Sequence, residues 1–216
     1  MSFLSQLKNQ ASALQGWQLG AQHGLTASTG ACEAACRLAL HYLQDLCTQL
    51  NVIRPAAAGS YSLDGRLSLG ELAQLDFRCD ARRKMLRNAE VFDYIGVGWN
   101  LRPAAGPVTR QRVAVNFPPD LERVTTRLAL WQIQHERSEQ RHPESSKLQA
   151  YMFDYPTEAR AFVTLTPQHD RGEVNFRLTN VGGFGVLTAS YPAAQVTSAL
   201  MDELARKLVG QPSRFA

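Results

Sequence analysis

Four cysteines and a histidine followed by two glutamates are the residues whose types could support metal or redox chemistry. The segment His135-Glu136-x-x-Glu139 differs from the zinc-protease motif H-E-x-x-H because Glu139 replaces the second histidine, so the pair of imidazoles that grips zinc is missing. Cys32 and Cys36 are spaced C-x-x-x-C, which suits neither a C-x-x-C redox site nor a zinc knuckle. We therefore predict no metal and no cofactor, and we expect these thiols to pack as small buried apolar groups.

Common catalytic and nucleotide-binding signatures are missing from the sequence. There is no G-x-S-x-G elbow, no Walker A loop and no G-x-G-x-x-G entering a helix. We predict no catalytic residue and favour a non-enzymatic role. Scattered catalytic residues leave no such signature, so an enzyme or small-molecule carrier with a pocket between sheet and helices stays an alternative.

The densest basic run consists of Arg82, Arg83, Lys84 and Arg87 and lies between two predicted strands. One interpretation is a solvated hairpin tip. The other is a contact with an anion or a nucleic acid, where each neutralised phosphate adds salt-dependent affinity. An RNA surface normally interleaves aromatic with basic side chains, so we favour the solvated tip and keep nucleic acid as an alternative partner.

A group of polar and aromatic side chains falls together if residues 131–141 form a strand. Trp131, His135 and Arg137 then share one face, and Tyr151 of the next strand can join them. Helical spacing also fits part of this stretch, but the turn-like Pro143 to Ser146 favours a hairpin. Such a face is unfavourable to bury without partners. It is predicted to be either a ligand or partner surface or an exposed sheet face.

Composition places the chain among ordinary globular proteins. It has 216 residues, 44% hydrophobic and 19% charged, with a net charge of +4. This mild positive charge permits an anionic partner without requiring one. The first 15 residues lack the pattern of a signal peptide, and no apolar run is long enough to span a membrane. We expect a cytoplasmic protein with reduced cysteines.

Helical periodicity predicts the ends of the chain. A short amphipathic helix is predicted over 1–15, a Gly-, Ser-, Thr- and Gln-rich linker over 16–29, and an amphipathic helix over 30–51 that ends before Pro55. After Pro192 a final amphipathic helix is predicted, with Gly210 at its carboxyl end. Residues 30–216 are predicted to form one α+β domain.

Alternating apolar and polar residues predict the strands between these helices. Short turns require antiparallel pairing. We predict an α+β fold in which an antiparallel sheet of about seven or eight strands, strongly curved, is covered by the amino- and carboxyl-terminal helices. Its strands are expected in an early section over 73–117 and a four-strand meander over 131–191.

Blocks spread over most of the chain resemble a family of uncharacterised proteobacterial proteins. The blocks are Glu33 to Arg37, Gln49-Leu50-Asn51-Val52, Asp76 to Lys84, Val91 to Trp99, Val115 to Leu121, Gln134-His135-Glu136, Arg141 to Glu144 and Gln211 to Phe215. The resemblance implies a bacterial, cytosolic protein. It implies no activity and no site residue.

The sequence thus favours a binding or assembly protein. We expect self-association through the polar-aromatic face or the amino-terminal helix, which docks either on its own domain or on a partner. The alternatives are a small-molecule binder or enzyme and a nucleic-acid binder that uses Arg82 to Arg87.

Overall fold

The computed structural model describes residues 3–65 and 68–216, and within the first helix it describes the side chains of Lys8, Ser12 and residues 22–53. The described residues form three α-helices and eight strands. In chain order these are α1 (Phe3–Ile53), β1 (Leu72–Leu86), β2 (Ala89–Pro103), β3 (Arg110–Val115), α2 (Pro118–Leu130), β4 (Glu136–Arg141), β5 (Leu148–Pro156), β6 (Ala159–Gln168), β7 (Glu173–Thr179), β8 (Val186–Pro192) and α3 (Ser198–Leu208). All strand pairs are antiparallel, so the predicted α+β class is confirmed.

The strands are divided between two open sheets. The large sheet has the order β1-β2-β6-β7-β8, and the small sheet has the order β3-β5-β4. The predicted meander over 131–191 is therefore interrupted after β5. The chain leaves the small sheet at Thr157, whose hydroxyl accepts a hydrogen bond from the Thr109 amide and donates one to the Thr109 carbonyl. Beyond this point β6 pairs with β2 instead of β5.

Helix α1 is continuous over the segment that was predicted to be a linker. The interpretation of residues 16–29 as a connector is wrong at the level of secondary structure, since they are helical throughout. Glycine weakens a helix by about 1 kcal/mol but does not stop one. The Thr26 and Thr29 hydroxyls donate to carbonyls one turn earlier, and the first proline, Pro55, follows the end of the helix.

The predicted apolar stripe of α1 packs against one face of the large sheet, here called the inner face. Cys32, Cys36, Leu43, Cys47 and Leu50 are all at most 5% exposed. Burial raises the pKa of Cys36 to about 12, so its thiol stays protonated at neutral pH. The expectation that these cysteines pack as apolar core groups is confirmed. Helix α3 joins the same core through Met201, Leu204 and Leu208, and Gly210 follows its end at φ 73°.

Two polar side chains of α1 supply hydrogen bonds that the sheet lacks. In β1 the ladder skips between Leu75 and Arg78, and Asp76 in this bulge has φ 60°. The amide of Asn51 pairs with the freed backbone of Phe77: its Oδ1 accepts from the amide at 2.7 Å, and its Nδ2 donates to the carbonyl at 2.9 Å. The Asn51 side chain therefore makes the two backbone hydrogen bonds at the bulge that a neighbouring strand would otherwise make.

Glu33 plays the matching role near the other end of β2. Its Oε1 accepts from the Phe92 amide at 2.6 Å, and its Oε2 accepts from Arg83 at 3.1 Å. The Phe92 carbonyl accepts from Nε2 of the buried His169 at 2.8 Å, which fixes the proton on that nitrogen. These contacts complete β2 where its ladder with β6 stops at Ile95.

We predict that Asn51→Ala lowers the free energy of unfolding by about 1–3 kcal/mol, because it leaves a backbone donor and a backbone acceptor of Phe77 without partners. Urea unfolding followed by circular dichroism measures the change. Gln49→Ala, an exposed position on the same helix, is the control and should shift stability by less than about 0.5 kcal/mol. Equal losses in the two variants would contradict the proposed role of Asn51.

Candidate functional site

The face of the large sheet opposite α1, here called the open face, carries a furrow of about 410 Å³. Strand β2 forms its floor and strands β1 and β6 form its two sides. Its lining includes Asp76, Arg78 and Asp80 of β1, Tyr94 and Asn100 of β2, and Arg160, Phe162 and Thr164 of β6.

Two glycines create the furrow. Side chains alternate along β2, so Gly96 and Gly98 fall on the open face while Val97 and Trp99 are buried on the inner face. A Cβ on Gly98 would lie 3.2 Å from the Phe162 ring, and a Cβ on Gly96 would lie 3.0 Å from Oδ1 of Asp80. The floor is therefore bare backbone, with an aromatic ring and a carboxylate leaning over it.

The bulge in β1 shapes one side of the furrow. Asp76 accepts a hydrogen bond from Nδ2 of Asn100 at 2.9 Å, and Arg102 lies 3.8 Å from the same carboxylate. Arg102 also pairs with Glu158 at 3.2 Å. The Asp76 charge is thus already balanced by neighbours on β2.

Arg78 and Arg160 differ from the arginines around them. Within the described residues, no hydrogen-bond acceptor or carboxylate pairs with either guanidinium, and both side chains are exposed. Arg78 lies opposite Gly98, and Arg160 lies opposite Asn100. The two arginines therefore lie on opposite sides of the furrow, offset by two residues along β2, and Arg177 of β7, opposite Thr164, is a third on the same face.

The basic run Arg82 to Arg87, predicted as a solvated hairpin tip with an anion contact as the alternative, has internal partners. Arg82 and Lys84 both pair with Asp93, and the hydrogen bond from Lys84 lowers the pKa of that carboxyl. The remaining pairs are Arg83 with Glu33 and Glu90, and Arg87 with Asp170. Most of the run lies within β1, and the hairpin turn itself comes after Leu86. Each cation has a carboxylate, which leaves less charge for an external anion.

The structure brings together only part of the predicted polar-aromatic face. The guanidinium of Arg137 lies 4.0 Å from the centre of the Tyr151 ring, and His135 lies 5.9 Å from the ring of Phe153. Trp131 caps α2 and stacks on Phe184 at 4.6 Å. A strand over all of 131–141 is wrong, because α2 continues to Leu130 and the strand begins only at Glu136.

The furrow was missed although the sequence holds a signal for it. Gly-x-Gly within a strand leaves two adjacent vacancies on one face. The alternation of Arg160, Phe162 and Thr164 on a neighbouring strand then places polar and aromatic groups beside those vacancies. What the sequence does not give is that β6 pairs with β2, since the two strands are about 60 residues apart.

Comparisons with protein-family models, with curated proteins and with solved structures found no match to this chain. The resemblance to the proteobacterial family therefore stays a prediction. In the described part of the chain, no three His, Cys, Asp or Glu side chains cluster in a way that could hold a metal ion. No helix among those same residues is long and apolar enough to cross a membrane.

We predict that Arg83→Gln affects stability. It leaves the Glu33 carboxylate, whose side chain is 12% exposed, without its cation, and should lower the free energy of unfolding by about 1–2 kcal/mol. Arg82→Gln is the matched control because that side chain is 70% exposed, and it should change stability by less than about 0.5 kcal/mol. Thermal unfolding of both variants tests this, and equal midpoints would contradict it.

Proposed function

We propose that the protein is a binding protein whose ligand site is the furrow on the open face, and that its ligand is anionic. The observation that carries the proposal is the pair of unpaired guanidiniums, Arg78 and Arg160, on either side of a floor cleared by two glycines. The volume of about 410 Å³ lies within the usual range for ligand sites.

Arg78 and Arg160 favour an anion that bridges the two sides of the furrow at its Gly98 to Asn100 end, away from the Asp80 carboxylate beside Gly96. From the strand register, the Cα atoms of Arg78 and Arg160 are about 12 Å apart, and long arginine side chains can converge across that distance. Guanidiniums bind phosphate and carboxylate groups through paired, charge-assisted hydrogen bonds. Among the described residues, the inner face is occupied by the hydrophobic core that α1 and α3 form with the sheet.

Substitutions can distinguish specific binding by these two arginines from nonspecific attraction to the positive charge of the protein. We expect Arg78→Gln and Arg160→Gln each to weaken binding of inorganic tripolyphosphate about 10- to 100-fold, as the loss of a charge-assisted hydrogen bond predicts. Isothermal titration calorimetry at low salt measures the affinity. Arg37→Gln is the matched control, since Arg37 is exposed on α1, which covers the other face.

A further variant tests whether the ligand needs the open space on the floor of the furrow, independently of the two arginines. Gly98→Val fills the floor of the furrow beside Phe162 and should abolish tripolyphosphate binding while the protein stays folded. Unchanged affinity in Arg78→Gln, Arg160→Gln and Gly98→Val would refute the proposed site.

A second function, self-association through α1, is favoured by the length of this helix. Its 51 residues extend about 76 Å. Its side chains contact two hairpin turns of the large sheet: Ser28 lies beside Gly172 in the β6–β7 turn, and the Thr29 hydroxyl accepts from Arg87 in the β1–β2 turn. Gln22 and His23 are exposed. The sequence of its first part carries the apolar spacing Leu4, Leu7, Ala11 and Leu14, and an apolar helix side of this kind is stabilised by docking on another surface.

We predict that the full chain is a dimer or larger at tens of micromolar, and that deletion of residues 1–15 makes it monomeric without lowering its melting temperature. Light scattering coupled to gel filtration measures the mass. A full-length chain that is monomeric at this concentration would contradict the assembly role and would leave the furrow proposal unaffected.

A further inference from the structure

We infer that the ligand of the furrow is a single-stranded nucleic acid, with its phosphates held by the arginines and its bases stacked on the open face. This inference rests on the proposed function and names the ligand class of the same site. It depends on three features of the open face: its elongated shape, its aromatic rings and its hydrogen-bonding floor.

The furrow is one part of a longer depression. A neighbouring hollow shares Asp76 and Arg78 with it and continues around the edge strand β1 to Asn51 and Arg54 at the end of α1. A second hollow shares Asn100 and Arg160 with it and continues to the loop after α2. The path therefore crosses β1, β2 and β6 from side to side. Its length and openness suit a flexible polymer better than a compact metabolite.

Unpaired positive charge follows this path. Within the described residues, Arg54 has no acidic partner, and the same holds for Arg78 and Arg160. Arg177 is exposed on the same face. A row of separated guanidiniums along a shallow channel is the pattern that tracks a phosphate backbone, because each contact releases counterions from the polymer.

Two aromatic side chains flank the bare floor. Tyr94 and Phe162 are both half-buried on the open face, one ring beside Gly96 and the other beside Gly98. The large aromatic residues that stabilise the core, such as Phe153, Tyr155 and Phe176, are fully buried elsewhere. Half-exposed rings on an antiparallel sheet form platforms on which successive unpaired bases stack.

The polar groups on the floor suit bases more than phosphates. The carboxylate of Asp80 leans over Gly96, where it would repel a phosphate but would accept a hydrogen bond from a base N–H group. This placement orients a bound strand with its bases towards the floor and its phosphates towards the arginines. An acidic peptide would match the arginines but has no planar rings for Tyr94 and Phe162.

The test uses fluorescence anisotropy of a labelled 12-residue oligouridylate with the full chain at low salt. Phe162→Ala and Phe162→Leu should each weaken binding about 5- to 150-fold, whereas Phe162→Tyr should retain it. Phe117→Ala is the matched control, because Phe117 is 59% exposed before α2 and outside the furrow. Arg78→Gln and Arg160→Gln should each reduce the slope of the logarithm of affinity against the logarithm of salt concentration by about the amount expected for one phosphate contact.

The outcomes separate this inference from the proposal beneath it. Two results together would overturn base stacking and leave the anion site in place. Tripolyphosphate would bind as tightly as the oligonucleotide, and the Phe162→Leu variant, with a melting temperature that shows it is folded, would bind both ligands with the affinity of the parent chain. Tighter binding of polyglutamate than of oligouridylate also overturns the inference in favour of an acidic peptide. If no polyanion binds, both the inference and the proposed site fail.

Discussion

The contact between α1 and the large sheet depends on two side chains that replace missing strand partners. Asn51 satisfies the backbone of Phe77 at the bulge in β1, and Glu33 satisfies the amide of Phe92 near the start of β2. A sheet irregularity that lacked such partners would leave buried backbone groups unsatisfied, at a cost of about 1–3 kcal/mol each. With them, the apolar stripe of α1 and the inner face can meet without a gap.

This arrangement has a direct effect on the opposite face. The bulge that Asn51 stabilises also shifts the register of β1, and the residues on either side of Phe77, Asp76 and Arg78, line the furrow. The helix thereby helps to determine the shape of the furrow on the opposite face. The two glycines of β2 contribute no side chain to the centre of that face, where Phe162 and Asp80 lean over the backbone, while Trp99 is buried on the inner face.

Local patterns in the sequence predicted more of the fold than of the site. The stripe of Cys32, Cys36, Leu43 and Leu50 correctly predicted which side of α1 is buried, because a period of 3.6 residues is a local property. Residues 16–29, predicted as a linker, are helical in the structure, because low helix propensity weakens a helix without ending it. The site was missed because Arg78, Gly98 and Phe162 become neighbours only through pairing of distant strands.

The density of positive charge along the sequence does not show which guanidiniums have partners in the fold. The run from Arg82 to Arg87 is dense in the sequence, yet Asp93, Glu33, Glu90 and Asp170 neutralise it in space. Arg78 and Arg160 are isolated in the sequence, and their guanidiniums have no partner among the residues that the structure describes. The availability of a guanidinium depends on which carboxylates the topology brings to it, and this information is non-local.

The position of α1 on the inner face also determines how assembly and binding combine. Subunits joined through α1 would keep every furrow accessible, since the joining element and the furrow lie on opposite sides of the large sheet. Several furrows would then act on one long ligand, and the second contact would form at a high local concentration of sites. Avidity would allow shallow, individually weak furrows to hold a polymer firmly while each one exchanges rapidly.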